Sequence, residues 1–256
     1  MYYVCTDLGA GLYPVYEAKK NKISYTVKLF IDNNRFVDEY KRAKLVKRDN
    51  LAKSVIQYEL TGKVKRHLCL SNFPELDMYN DTHFILYPYY DYDLQQMINQ
   101  QYFSSPNIVL ICHTIHSITK CLHLLHHNGF CHRDIQPANI YYNQRCDEYR
   151  LGDLEMISVG DEPMLSTNQY AAPEVFGNWG QVANLHDLQL ADVWSLGAVF
   201  YYMFSGECAF NFDDTSYINQ LNTGYQLLDD IVNSMLIYNP NERISLEQIL
   251  GMTTIN

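Results

Sequence analysis

The chain has 256 residues, 47% apolar and 14% aromatic, enough to bury a substantial core in one large domain or two lobes without outside staples. Its seven cysteines are odd in number, scattered and free of any C-x-x-C pair, which argues against a disulfide framework and a zinc site and for a reducing, intracellular setting. The formal charge of −10 hides an asymmetry: residues 1–70 hold 14 Lys and Arg against 7 Asp and Glu (+7), and residues 71–256 hold 5 against 22 (−17).

Two explanations of that asymmetry stand side by side. Either KRAKLVKR is the solvated face of a helix and the acidic remainder serves solubility, or the acidic half attracts basic partners. The start, MYYVCTDLG, lacks the basic and apolar run of a signal peptide, and the greasy segment LADVWSLGAVFYYMF is too short to span a bilayer and carries Asp192. The expectation is a soluble, cytoplasmic protein with possible access to the nucleus, no membrane contact and no specific nucleic acid.

In chain order, VYEA and ISYTVKLF read as strands parted by the turn KKNK. Residues 35–48 read as a helix, with Phe36, Tyr40 and Ala43 at helical spacing. HFILYPYY is a further strand, and Pro88 with the acidic DYD marks a crossover. From there the pattern turns helical. Asn107 can cap a helix striped by Ile111, Ile115, Ile118, Leu122 and Leu125, which ends at Asn128-Gly129. The helix over 190–204 is apolar nearly all round and therefore buried. After a turn at Pro240, Ser245 and Gln248 form a capping box that opens a last helix. The outline is α+β, with a small β-rich half and a larger α-rich half.

The motifs sit on this frame. CHRDIQPANIYY (131–142) sets His, Arg and Asp in a row and places an Asn five residues after the Asp. LGDLE follows 14 residues after Asn139 at its Asp153, and TNQYAAPE, DVWSLG and NPNERIS come later in that order. This ordered set resembles the eukaryotic-type protein kinase domain over nearly the whole chain. The resemblance implies a bilobal fold, with an N-lobe over 1–87, a hinge over 88–92 and a C-lobe over 93–256.

It also implies ATP and Mg²⁺ or Mn²⁺ as cofactors and protein Ser/Thr hydroxyls as substrates, since Pro137 and Thr167 are similar to the Ser/Thr group. Phosphoryl transfer asks mainly for positioning and for cations beside the phosphates. Asn139 and Asp153 offer hard oxygen ligands for the metal, and Asp134 is placed to take the proton of a substrate hydroxyl. Lys28 stands where the family's lysine meets the nucleotide phosphates, with Glu39 as its candidate carboxylate partner; Glu39 could instead be an exposed residue pairing locally with Arg42. By the same resemblance Gly9, Gly11, Val15, Tyr87, Tyr89 and Asp93 join Lys28 and Glu39 around the nucleotide. Asp192 resembles the family's anchor of the catalytic-loop backbone, and Glu174 with Arg243 its buried ion pair. Histidines 113, 116, 123, 126 and 127 read as the polar side of an ordinary helix.

Three departures from the pattern stand out. In LGAGLYPVYEA, Pro14 takes the place at or beside the third glycine of the phosphate-covering loop, and proline has no N–H to offer a phosphate. Gln136 replaces the lysine that touches the transferred phosphate, a loss of the order of 10²-fold in rate for one donor in a preorganised site. Glu155 replaces the glycine of D-F-G, where backbone freedom is expected to matter. The readings left open are a slow or specialised kinase acting on basic proteins, and a pseudokinase that serves as scaffold, decoy or allosteric partner of another kinase or of a host protein. A small-molecule phosphotransferase is disfavoured by AAPE and DVWSLG. Arg133 could receive a phosphate placed on Ser158, Ser166 or Thr167, but that segment has no second basic residue, so activity is expected without such phosphorylation.

Overall fold

A computed structural model describes residues 1–10, 14–79, 81–103, 107–163, 169–177, 182–210 and 220–254. The chain divides into two compact units, Met1–Ala52 with Ile56–Asp91 and Lys53–Val55 with Tyr92–Asn256.

The first unit is built on strands. It runs β1 (Tyr2–Ala10), β2 (Pro14–Lys20), β3 (Ile23–Phe30), α1 (Asn33–Leu45), β4 (Leu60–Lys63), α2 (Val64–His67), β5 (Leu68–Cys69) and β6 (His83–Pro88). Among the described residues these strands form one sheet in the order β4-β6-β3-β2-β1-β5, antiparallel except for the β1–β5 pair. The KKNK turn closes β2 onto β3 with Asn21 and Lys22 both at positive φ, as a tight hairpin requires. One face buries Val4, Ala18, Val27, Leu29, Phe84 and Leu86. Ile85, on the opposite face, packs with Phe30 and Phe36 of α1, so alternate residues of β6 serve two apolar clusters. The side chain of Asp32 caps α1 by accepting from the backbone N–H of Asn34.

The second unit is mostly helical. It contains β7 (Tyr92–Asp93), α3 (Leu94–Asn99), α4 (Ile108–His127), β8 (Ile140–Asn143), β9 (Glu148–Leu151), β10 (Glu162–Pro163), α5 (Pro173–Gly177), β11 (Val182–Ala183), α6 (Leu185–Ser205), α7 (Gln226–Met235) and α8 (Leu246–Thr253). Asn107 caps α4 through its side chain, and Gly129 just beyond the helix has φ 80°. The Ser245–Gln248 capping box is formed in both directions. The 190–204 segment is buried as its all-round apolarity predicts, and α4 is the second long apolar helix. Helix α4 has the length and hydropathy of a membrane span, yet Ile111, Ile115, Ile118, Leu122 and Leu125 are buried within the fold. Helix α6 buries Trp194 and Phe200 completely. Gly197 of DVWSLG is there for space: a Cβ on it would lie 2.7 Å from the Cβ of Met235 in α7.

Candidate active site

The HRD loop is held from below by one carboxylate. Asp192 of α6, 2% exposed, accepts from the backbone N–H of His132 at 2.7 Å and of Arg133 at 2.8 Å. A non-glycine residue pays strain at positive φ, and Arg133 sits at φ 70°; the bond to Asp192 offsets that cost. A third partner completes the anchor, His126 of α4, whose Nε2 is 2.9 Å from Asp192 Oδ2. His126 is therefore not on a solvated polar face, as the helical pattern suggests, but almost buried, 11% exposed. His116 likewise meets Thr253 of α8 at 3.0 Å, and burial lowers its pKa.

His132 is fully buried and bridges the loop to the segment before Asp153. Its Nε2 lies 2.9 Å from Gly152 O, and its Nδ1 accepts from the N–H of Asp134, which places the ring proton on Nε2. Above it, Asp134 is gripped by amides. Asn139 Nδ2 donates to Asp134 Oδ2 at 2.7 Å and to Asp134 O at 2.9 Å. Gln136 Nε2 donates to both Asp134 carboxylate oxygens, at 3.1 and 3.0 Å. Gln136 thus fixes the plane of the carboxylate but brings no charge.

Asn139 and Asp153 are brought together by the β8–β9 hairpin. Ile140 pairs with Leu151, and the N–H of Gly152 donates to Asn139 O at 2.8 Å, so the residues flanking the two strands emerge at the same end. Because the Asn139 Nδ2 is committed to Asp134, its Oδ1 is the atom it can offer a metal. Asp153 adopts the left-handed conformation, φ 51°, and its side chain does not cap the short turn Leu154–Met156 that it starts. An amide oxygen and a carboxylate make a hard donor pair that fits Mg²⁺. The positive φ in this stretch falls on Asp153 and not on Glu155, which lies inside the helical turn. Glu155 therefore carries no backbone strain, contrary to the expectation drawn from the missing glycine.

Arg133 is already engaged with the segment that follows. Its guanidinium donates to Met156 O at 3.3 Å and to Pro163 O, and lies 3.7 Å from the Glu162 carboxylate. Ser166 and Thr167 lie outside the described residues. Ser158 Oγ is buried and accepts from Gly160 N. Further on, Arg243 makes two bonds to Glu174, at 2.7 and 2.8 Å, and reaches Ile237 O and Leu190 O, the bidentate geometry that makes a buried arginine worthwhile.

In the first unit, Lys28 Nζ is 2.7 Å from Glu39 Oε2, with Glu39 only 2% exposed. The local alternative for Glu39 is excluded by this burial. Tyr87, expected near the nucleotide, donates its hydroxyl to Glu39 Oε1 at 3.0 Å and belongs to the Phe30–Phe36–Ile85 cluster. Val15 is half-buried in β2, opposite Lys28 on one side and Gly9 on the other. Tyr89 is half-buried after β6. In the second unit, Asp93 spends its carboxylate on the N–H of Gln96, capping α3. Burial raises its pKa, and the cap bonds oppose that rise.

The glycine loop is distinctive. Gly11 lies outside the described residues, while Ala10 pairs with Pro14 at the end of the β1–β2 ladder. Gly9 is at φ 111°, and its N–H donates to Asp7 Oδ1 at 2.8 Å. A backbone N–H of the kind that would face a phosphate is thus occupied by a carboxylate of the same chain. Asp7→Asn keeps an acceptor there and removes the negative charge. It is expected to tighten ATP binding about threefold while leaving adenosine binding unchanged, as read by calorimetry; equal effects on both ligands would place the influence of Asp7 away from the phosphates.

Residues 40–254 match the family described as protein kinase domain. The chain is 31% identical to mitogen-activated protein kinase p38b of Drosophila melanogaster over 141 residues, 54% of this chain and 36% of the relative. It is 30% identical to p38a of the same organism over 162 residues, 62% and 39%. It is also 31% identical to mitogen-activated protein kinase hog1 of Trichoderma harzianum over 128 residues, 47% and 34%. The matched part spans little more than a third of each relative. The chain belongs to the protein kinase domain family, and the family match begins within α1, after Lys28 and Glu39.

Proposed function

We propose that this chain is an ATP-dependent protein serine/threonine kinase of lowered rate that acts on basic proteins. The observation that carries the reading is Asp134: a carboxylate oriented by Asn139 and Gln136, on a loop whose backbone is tied to buried Asp192. ATP with Mg²⁺ or Mn²⁺ would supply the phosphoryl group, with Asn139 Oδ1 and the Asp153 carboxylate as the oxygens that would hold the metal ion. Asp134 orients the substrate hydroxyl and takes its proton at the carboxylate. The amide of Gln136 replaces a cation beside the transferred phosphate, which accounts for a lowered rate without abolishing transfer. Glu162, 3.7 Å from Arg133, already gives that guanidinium an anionic partner, in keeping with activity that needs no phosphorylation of that segment. The −17 of residues 71–256 favours basic substrates.

A second reading, a pseudokinase acting by binding alone, is favoured by Asp7 on the N–H of Gly9 and by Gln136. Transfer of labelled phosphate from Mg²⁺- or Mn²⁺-ATP to basic and acidic proteins separates the two. Incorporation that falls by about 10²–10⁴-fold in Asp134→Asn is expected. Incorporation no higher than in the mutant, with no rise in Tm on adding ATP, would leave the pseudokinase.

A further inference from the structure

The end of α1 and the residues after it gather positive charge that the phosphotransfer reading does not use. Lys41, Arg42, Lys44, Lys47 and Arg48 line one surface depression of about 570 Å³, with Leu45 among them. Leu45 is 46% exposed, and Lys41, Lys44, Lys47 and Arg48 are all exposed.

The ordinary explanation is the helix dipole, whose C-terminus attracts cations. That end carries only about half an elementary charge, and its influence fades within the last turn. It accounts for Arg42 or Lys44, not for five cations, and Lys47 and Arg48 lie beyond the helix. Asp38 reaches Lys41 at 4.0 Å, while Glu39 is turned inward to Lys28. Among the described residues, neither Lys44 nor Lys47 is paired with a carboxylate.

The cluster is also held in shape. Lys47 Nζ donates to Tyr58 O at 2.8 Å and lies 3.8 Å from the centre of the Tyr58 ring. The Gln57 amide donates to Val46 O at 2.9 Å and to Arg48 O at 2.6 Å. These bonds pin the backbone on which the cations stand, so less ordering entropy is lost on binding.

We propose that this depression is a docking site for an acidic peptide segment of a partner protein, with an apolar side chain of the segment on Leu45. Charge complementarity selects an anionic occupant. Three observations favour a peptide over nucleic acid. The cations are confined to one helix end rather than drawn out along a backbone-length stripe. The patch includes one exposed aliphatic side chain, Leu45, and its nearby aromatic ring, Tyr58, is covered by Lys47 instead of being open for base stacking. The whole chain carries −10, which repels a long polyanion but is tolerated by a short acidic segment held close. The site shares no residue with Asp134 and its partners, so the proposal stands whether or not the chain transfers phosphate.

The test uses the full chain and two labelled probes of equal charge, read by fluorescence anisotropy at low and raised salt. One is a twelve-residue peptide of Glu and Asp with two central leucines, and the other is a single-stranded oligonucleotide. The wild type is expected to bind the peptide more tightly, with affinity falling as salt rises. Lys41→Glu with Lys44→Glu is expected to weaken the peptide by about tenfold or more at unchanged Tm. Leu45→Ser is expected to weaken it by about fivefold with no change in charge. Equal binding by the charge-reversed protein, or tighter binding of the oligonucleotide than of the peptide, would overturn the proposal. So would a peptide affinity indifferent to Leu45→Ser.

Discussion

Lys28→Met is expected to abolish phosphotransfer and to destabilise the fold, and the two effects can be separated by a second substitution. Glu39 is 2% exposed and is compensated by Lys28 Nζ at 2.7 Å and the Tyr87 hydroxyl at 3.0 Å. Removing the ammonium leaves a buried carboxylate with too little to neutralise it, a loss of about 3–5 kcal/mol. For a chain of this size that corresponds to a fall in Tm of the order of 10 °C. Adding Glu39→Gln removes the orphaned charge and is expected to restore most of the Tm, because a neutral amide needs only hydrogen bonds. Under the proposed function phosphotransfer should remain lost in the double mutant, since the cation assigned to the nucleotide is still missing. Thermal unfolding and labelled-phosphate incorporation on the same three proteins check both halves. Recovery of activity together with stability would show that Lys28 serves Glu39 and not the nucleotide.

The second large effect belongs to Asp192→Ala. This change strips the partner from two buried backbone N–H groups and from His126 at once. Each orphaned donor costs about 1–3 kcal/mol, so the total is expected near 3–5 kcal/mol once the loop relaxes. Arg133 would then lose what holds it at φ 70°, and Asp134 would lose its fixed position. The expected phenotype is a lower Tm with a fall in kcat larger than any change in KM. An unchanged kcat at reduced Tm would mean that the loop keeps its geometry without the anchor.

What could be read in advance was local chemistry. Asn107 before an apolar stripe and the Ser245–Gln248 pair mark helix starts because a cap acts within four residues of itself. The HRD and LGDLE motifs marked the loop and the strand end that carry Asp134, Asn139 and Asp153, and the β8–β9 hairpin explains the spacing that joins Asn139 to Asp153. What escaped was set by residues far apart in the chain. His126 falls beside an apolar stripe like its neighbours, and only its contact with Asp192, 66 positions away, gives it a task. The same holds for Lys53–Val55, which belong to the helical unit through Ser54 Oγ donating to Cys121 O at 2.6 Å and through the bridge from Val55 to Leu151. Tyr87 was read by position along the strand, but its hydroxyl is claimed by a glutamate on a different element. Asp7 is a different case. An Asp two residues before a Gly commonly bonds that N–H, so this occupant of Gly9 was legible and was passed over in favour of the glycines themselves.

The contact of Arg133 with Glu162 has a consequence for how such a protein is controlled in time. A phosphate is added and removed by other enzymes, so a loop that depends on one reports on a signal. A glutamate is built in at translation and stays for the life of the chain. Under the proposed function, the output of this protein would be governed by its synthesis and turnover, as a dose, with no upstream enzyme to throw the switch.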